Sequence, residues 1–265
     1  MRMDISGMLS RVRERKPLVH HITNWVTIYD CAAVTRAAGA LPIMAHAEEE
    51  AAEMAAISGA LVLNIGTLTP QLVASMVSAG KKANETGVPV VLDAVGAGAT
   101  RLRTEKAREI MAKVKLAVIK GNRSEIGTLA GAKAETKGVE AVSVDGELDA
   151  IARRLAKASG AAVVITGKRD VVASPSGETY YVDNGHEMMG KVVGTGCMAA
   201  SVIGAFCAVE GDYAKAAAAA LSCYGIAGEL AARKAKAPMA FKSALIDEVY
   251  SMEEKDVKRM AKVIG

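Results

Sequence analysis

Residues 60–99 read ALVLNIGTLTPQLVASMVSAGKKANETGVPVVLDAVGAGA. Two short apolar runs, 60–65 and 88–93, flank a longer stretch, 70–86, with apolar positions at helical spacing, and Gly87 stands where that helix needs a left-handed residue to stop. A strand covered on both faces has no polar side to show. Near-continuous apolar runs joined through a helix therefore specify parallel strands lying between helices.

The same rhythm runs outward from this unit. Strands are expected at 18–22, 41–45, 116–120 and 161–166, and helices at 27–38, 48–58, 103–114, 123–130 and 146–159, with Gly39, Gly59, Gly131 and Gly160 as further stops. This order predicts an α/β fold of three layers, a central, mostly parallel sheet with helices on both faces, formed by residues 1–265 as a single domain. In such folds the chemistry collects at the carboxyl ends of the strands. After residue 167 the pattern changes: 170–183 reads as a hairpin turning at 175–177, and everything from Gly196 onward reads as helix apart from short turns. The alanine-rich 214–222 fits a buried, closely packed helix.

Composition removes several classes of function. No apolar run approaches the roughly 18 residues of a membrane span, and residues 1–16 alternate charge with apolar positions without a signal-peptide core, so a cytoplasmic protein is expected. The four cysteines, Cys31, Cys197, Cys207 and Cys223, form neither a disulfide framework nor a metal-binding spacing. A net charge of +4, without basic blocks and with only 3% aromatic residues, leaves little for nucleic acid to stack on. Mild positive charge is compatible with an anionic small ligand without singling one out.

Chemistry concentrates in four places. At 192–201, VVGTGCMAAS, two glycines bracket Thr195 and a helix begins at once. Free N–H groups and the helix dipole there bind anions, and the same field should favour a Cys197 thiolate below the free value of about 8.5. Cys197 is thus a candidate base or nucleophile, with a small buried apolar residue as the alternative. Gly194, Gly196 and Ala199 match G-x-G-x-x-A, but more helices follow where a dinucleotide fold needs a strand, and no P-loop motif occurs. At 90–99, Asp93 ends a buried strand before a glycine loop; it would hold Mg²⁺ through water, orient a substrate, or cap the turn. At 118–131, Lys120, Asn122, Arg123 and Glu125 open a helix, where Glu125 serves either chemistry or the helix start. At 163–170, Thr166 and Gly167 end a strand and would receive a nucleotide phosphate or simply turn the chain. Two strand-end carboxylates and two cations beside an anion-binding helix make a phosphoryl-transfer set. Asn24, in HHITNWVT (20–27), is a candidate polar contact in a small-molecule pocket, whereas His20 and His21 lack metal-ligand spacing.

Four ordered motifs then resemble one family over nearly the whole chain. NWVTIYDCAAVTRAAGALPIMAHAEEEAAEMA (24–55) is similar to the N-terminal signature of the hydroxyethylthiazole kinase family, a ribokinase-like group. ALVLNIGTL (60–68), LDAVGAGAT (92–100), KGNRSEI (120–126) and VVGTGCMAASVIGAFCAVE (192–210) follow in that family's order. The resemblance implies transfer of the ATP γ-phosphoryl group to the alcohol of 4-methyl-5-(2-hydroxyethyl)thiazole with Mg²⁺, in thiamine salvage. It puts Cys197, where related kinases carry aspartate, beside the attacking hydroxyl, and Gly194, Thr195 and Gly196 around the transferring phosphate. Asp93 and Glu125 would organise Mg²⁺ through water, Lys120 and Thr166 would meet ATP phosphates, and Asn24, Met44 and Gly194 would line the thiazole pocket. A homotrimer with active sites at subunit interfaces is also implied. The chain departs from the family's usual pattern with Lys120 for arginine, Ala94 for proline, Ala33 for asparagine and Leu41 for serine. Other readings are a kinase for another hydroxymethyl heterocycle, of pyrimidine or pyridoxal type, a thiol hydrolase pairing Cys197 with His186 or His20, and a nucleotide sensor without turnover.

Overall fold

The computed structural model describes residues 3–131 and 144–265. In chain order its elements are α1 (Ile5–Arg15), β1 (Leu18–Ile22), α2 (Ile28–Ala38), β2 (Leu41–Ile43), α3 (Glu48–Ala56), β3 (Ala60–Asn64), α4 (Pro70–Glu85) and β4 (Val90–Asp93). There follow α5 (Arg101–Lys113), β5 (Val118–Asn122), α6 (Arg123–Leu129), α7 (Val144–Ser159), β6 (Ala162–Thr166), β7 (Asp170–Ala173) and β8 (Thr179–Val182). A short 3-10 helix (Glu187–Lys191) leads to α8 (Thr195–Cys207), α9 (Tyr213–Lys234), α10 (Pro238–Ser251), α11 (Glu254–Met260) and β9 (Val263–Ile264).

The strands form one sheet in the order β2-β1-β3-β4-β5-β6-β7-β8-β9, parallel from β2 to β6 and antiparallel beyond. Side chains alternate faces along each strand. Leu61, Leu63, Leu92, Ile119 and Val163 accordingly pack with α3 to α7, and Val62, Val91, Val118, Ala162 and Val164 with α1, α2 and α8 to α11. The expected layers are present. Phe206 of α8 and Phe241 of α10 are fully buried on the second face, each contributing about 1.5–3 kcal/mol through burial. Helix α9 is buried from Ala214 to Gly228 almost without interruption, which is why its alanines are so dense.

Several boundaries differ from the expected ones for identifiable reasons. The strand expected at 41–45 stops at Ile43, after which the His20 ring takes the Ala45 carbonyl at 2.7 Å. Strand β5 is offset to Val118–Asn122 because its register with β6 carries pairing on to Asn122 opposite Thr166. Gly59 stops no helix: α3 ends at Ala56, and Gly59 lacks a positive φ. The region after Gly196 is not wholly helical, since β9 pairs antiparallel with β8. No described helix is long and apolar enough to cross a membrane.

Candidate active site

Strand order reverses between β1 and β3, and a crevice opens at the carboxyl edge of such a switch point. Register does the rest. Asn64 lies opposite Asp93, and Asp93 opposite Lys120, so the three project in one row on the face that α8 covers. Asn64 Nδ2 donates to Asp93 Oδ2 at 2.7 Å, and Lys120 Nζ to Asp93 Oδ1 at 3.0 Å. From the loop after β1, Asn24 Nδ2 donates to Asn64 Oδ1 at 2.9 Å and reaches Cys197 Sγ at 3.4 Å. The Asn24 Oδ1 accepts the N–H groups of Val26 and Thr27 and the Thr27 hydroxyl, which fixes the orientation of its amide. All four polar members of the row are buried, Asp93 completely and Lys120 at 4% exposure.

The first helical bond of α8 runs from Met198 N–H to Gly194 O, so the N–H groups of Thr195, Gly196 and Cys197 have no intrahelical acceptor. Gly194 holds φ at +95°, and a Cβ there would lie 2.7 Å from Thr27 Cγ2. A side chain on Gly196 would meet Lys120 Nζ at 3.1 Å. Helix N-terminus and ammonium therefore converge on one small volume, which suits an anion. Thr195 does not extend it through its hydroxyl, which donates to Met189 O at 2.8 Å.

Cys197 departs from expectation. Burial pushes its thiol above the ordinary value, and the Asp93 carboxylate adds to this; hydrogen bonding from Thr27, the Lys120 charge and Asn64 pull back without reversing it. The helix field is outweighed, and the group is a thiol at neutral pH. Neither histidine proposed as its partner is placed to help. His20 holds the Ala45 carbonyl, and His186 holds the Met188 N–H and packs against Phe241. Burial opposes the Lys120 ammonium as well, but Asp93 outweighs it and holds the group above the usual lysine range.

Beside this point, a cavity of about 800 Å³ runs between the β6–β7 turn, the 183–190 segment, α8 and α9. Thr166, Gly167 and Lys168 line one side, Asn184 to Glu187 another, and Ala199, Leu221 and Tyr224 form an apolar floor. Gly167 is not free to bind phosphate through its backbone, because its N–H donates to Asp170 Oδ1 at 2.9 Å. Thr166 Oγ1 makes only a long bond of 3.4 Å to Gly121 O, which leaves its hydroxyl available to a ligand. Met44 is half-buried just past β2, near the carbonyl that His20 holds.

The model of the hydroxyethylthiazole kinase family matches residues 9–255. The chain belongs to the hydroxyethylthiazole kinase family. It is 56% identical over 255 residues to the hydroxyethylthiazole kinase of Methanosarcina mazei, covering 96% of this chain and 97% of that one. To the Desulforudis audaxviator enzyme it is 51% identical over 263 residues, covering 99% and 96%. The solved structure of the Pyrococcus horikoshii hydroxyethylthiazole kinase superposes with a TM-score of 0.91 at 43% identity, covering 98% of both chains. A ribokinase-like protein from Enterococcus faecalis, at 14% identity and a TM-score of 0.64 over 96% of both chains, shares the fold.

The four positions at which the resemblance implied departures sit in unequal places. Lys120 belongs to the buried row, whereas Ala94 is buried directly behind Asp93, Ala33 is half-buried on α2 and Leu41 opens β2 at the surface. Asn64 was not singled out in the sequence, although its signal is there: a polar residue closes the otherwise apolar run 60–64, with the same alternation as Val62.

The carboxylates also bear on Mg²⁺. Both Asp93 oxygens are engaged by Lys120 and Asn64, and both Glu125 oxygens accept backbone N–H groups, from Gly96 at 2.8 Å and Asn122 at 2.7 Å. Glu125 thereby closes a capping box with Asn122 at the start of α6. Among the described residues no cluster of three acidic, histidine or cysteine side chains forms a cage. Glu125, only half-buried, fits a Mg²⁺ ion that keeps its waters, since each of its oxygens retains a lone pair for a water ligand, whereas Asp93, fully buried and held by Lys120 and Asn64, has no face open to water.

Proposed function

We propose that this chain transfers the γ-phosphoryl group of ATP to the primary alcohol of 4-methyl-5-(2-hydroxyethyl)thiazole, the salvage step for the thiazole half of thiamine. The observation that carries this reading is the convergence of the Asn24–Asn64–Asp93–Lys120 row on the N-terminus of α8 at Cys197. In the reaction the alcohol oxygen bonds to the γ-phosphorus as the bond from that phosphorus to the ADP oxygen breaks. Negative charge on the moving group meets the N–H groups of Gly196 and Cys197 and the Lys120 ammonium, donors fixed in place before the reaction. Glu125 would hold the waters of a Mg²⁺ ion, with the Asp93 charge behind it, and the ion would supply further neutralisation of phosphate charge. Thr166 and Lys168 meet the polyphosphate; Lys168 lines the cavity and has no ion-pair partner among the described residues. Asn24, Met44 and Gly194 border the thiazole.

Because the transition state is loose, the alcohol proton leaves late and a strong base is unnecessary. Cys197 fits that requirement as a thiol beside the attacking oxygen. Cys197→Ala is expected to lower kcat by about tenfold while ATP binding persists, and Cys197→Asp to retain substantial turnover. An Asp variant that folds and binds ATP but is inactive would remove Cys197 from the position beside the hydroxyl.

The cavity has its own pH signature. Burial raises Asp170 to about 7, with Asp183 adding to the shift and the Gly167 N–H and Lys120 opposing it. With the folded value above the ordinary 3.8, the contribution of the neutral form is complete below pH ~4 and lost as pH rises through ~7. Stability and ATP affinity are both expected to fall across that window, and Asp170→Asn should flatten both profiles. Steady-state KM for ATP and thermal melts between pH 5.5 and 8.5 provide the check.

The same reading includes assembly. Trp25, Val26 and Tyr29, exposed by 57%, 66% and 80%, follow Asn24 in the chain, an apolar patch of the kind monomers seldom leave open. A homotrimer in which a neighbouring subunit covers this patch would complete the thiazole pocket. The function itself is tested by ADP release with ATP and Mg²⁺ on hydroxyethylthiazole, hydroxymethylpyrimidine, pyridoxal and ribose. Turnover confined to the thiazole alcohol is expected; turnover on another acceptor alone would overturn the substrate assignment.

A further inference from the structure

We infer that Asn184 is a positioning residue for the nucleotide, and that through it the C-terminal segment at 260–262 sets the wall of the nucleotide cavity. The inference rests on the reading above that ATP occupies the cavity bounded by the β6–β7 turn and residues 183–190. An asparagine amide has two acceptor sites and two N–H donors. In Asn184 all four are used: Oδ1 accepts the Ser222 hydroxyl at 2.8 Å and the Lys262 N–H at 2.8 Å, while Nδ2 donates to Glu229 Oε1 at 3.0 Å and to Met260 O at 2.9 Å. Two partners lie on α9, one, Met260, is the last residue of α11, and one, Lys262, immediately precedes β9.

The neighbours are tied to the same points. The Gly185 N–H donates to Glu229 Oε1 at 3.2 Å, and Lys262 Nζ grips both Glu229 oxygens at 3.0 and 3.2 Å. The Asp183 N–H donates to Lys262 O at 2.9 Å, and its carboxylate accepts both arms of Arg169 from the β6–β7 turn, at 2.6 and 2.9 Å. Behind Asn184, α9 presents Gly225, where a Cβ would lie 2.6 Å from the Asn184 carbonyl carbon and oxygen. The backbone at 183–185 is thus fixed from three sides, and Asp183, Asn184 and Gly185 all line the cavity. No residue of 260–265 lines it. The C-terminal segment therefore bears on the cavity through the 183–185 wall, at the Asn184 amide, at the Asp183 N–H and through the pairing of β9 with β8.

The chemistry of the clamp is specific to an amide. Alanine abandons four partners, and aspartate turns an oxygen toward Glu229 and the Met260 carbonyl, so both should let the wall move. Glu229→Gln keeps the Oε1 acceptor for Asn184 and Gly185 and should preserve it.

The test measures steady-state kinetics of Asn184→Ala, Asn184→Asp and Glu229→Gln, with hydrogen exchange at 183–190 in the wild-type enzyme, with and without a non-hydrolysable ATP analogue. A rise in KM for ATP of about tenfold or more is expected in both Asn184 variants, with kcat and thiazole KM within about twofold and Glu229→Gln close to wild type. Should Asn184→Ala not fold, Glu229→Leu, which removes one acceptor while leaving Asn184, is read in its place and is expected to raise KM for ATP severalfold. Unchanged ATP KM in folded variants, while the analogue protects 183–190 in wild type, would overturn the inference. Parallel losses in kcat and both KM values would also overturn it, by reducing Asn184 to a purely structural role. Absence of protection at 183–190 in wild type would instead overturn the placement of ATP on which the inference stands.

Discussion

Lys120→Met is expected to destabilise the fold by about 3–5 kcal/mol and to lower turnover by at least about 100-fold. The two effects have different origins. Lys120 Nζ lies 3.0 Å from Asp93 Oδ1 in a pair that water scarcely reaches, and removing the cation leaves a fully buried carboxylate without a counter-charge. Turnover should fall because the same ammonium borders Gly196 at the start of α8, where the proposed reaction would gather charge on the transferring phosphoryl group. Adding Asp93→Asn to Lys120→Met removes the stranded charge, so stability should largely return while turnover stays low. Chemical denaturation and kcat measured on Lys120→Met, on Asp93→Asn alone and on the double variant separate the two. Recovery of turnover in the double variant would show that Lys120 serves the fold alone.

Gly194→Ala carries the second large effect. The backbone there sits at φ +95°, and the new methyl would lie 2.7 Å from Thr27 Cγ2 and 3.6 Å from Asp30 Oδ2. A non-glycine residue in a sparsely populated conformation costs about 1–3 kcal/mol. Relieving the contact moves the first turn of α8 away from Lys120, and displacing an anion-hole donor costs about 100- to 1000-fold in kcat. Thr166, Lys168 and the apolar floor of the cavity are untouched, so ATP should still bind. Gly127→Ala is the control, since Gly127 lies inside α6 with open space where its Cβ would be. Near-normal kcat in Gly194→Ala would mean that the turn is not the phosphate site.

The sequence made the parallel sheet legible because doubly covered strands such as 60–64 and 90–93 carry apolar residues at nearly every position. The same runs drew attention to Asp93 and Lys120 as charges at the ends of apolar strands, with a turn cap or a helix start as the alternative. Other features live in long-range geometry. Asn64 matters only through its register with Asp93, which no local pattern encodes. Strand β9 is two residues long and exists only because β8 offers an edge. Cys197 misled for a physical reason: the helix terminus was visible in the sequence, but the burial and the Asp93 carboxylate that outweigh it were not. Gly167 shows the reverse, a strand-end glycine whose N–H Asp170, three residues further on, has already claimed.

In the proposed reaction the row ending at Lys120 and the first turn of α8 deliver phosphate to a thiazole alcohol. Phosphorus-31 NMR of the purified protein with ATP, Mg²⁺ and hydroxyethylthiazole tests this most directly. The account predicts a new phosphomonoester resonance that grows in equal amount with ADP and couples to the methylene protons of the hydroxyethyl arm. ADP accumulating with inorganic phosphate alone, or ATP remaining intact while the protein binds it, would contradict the account.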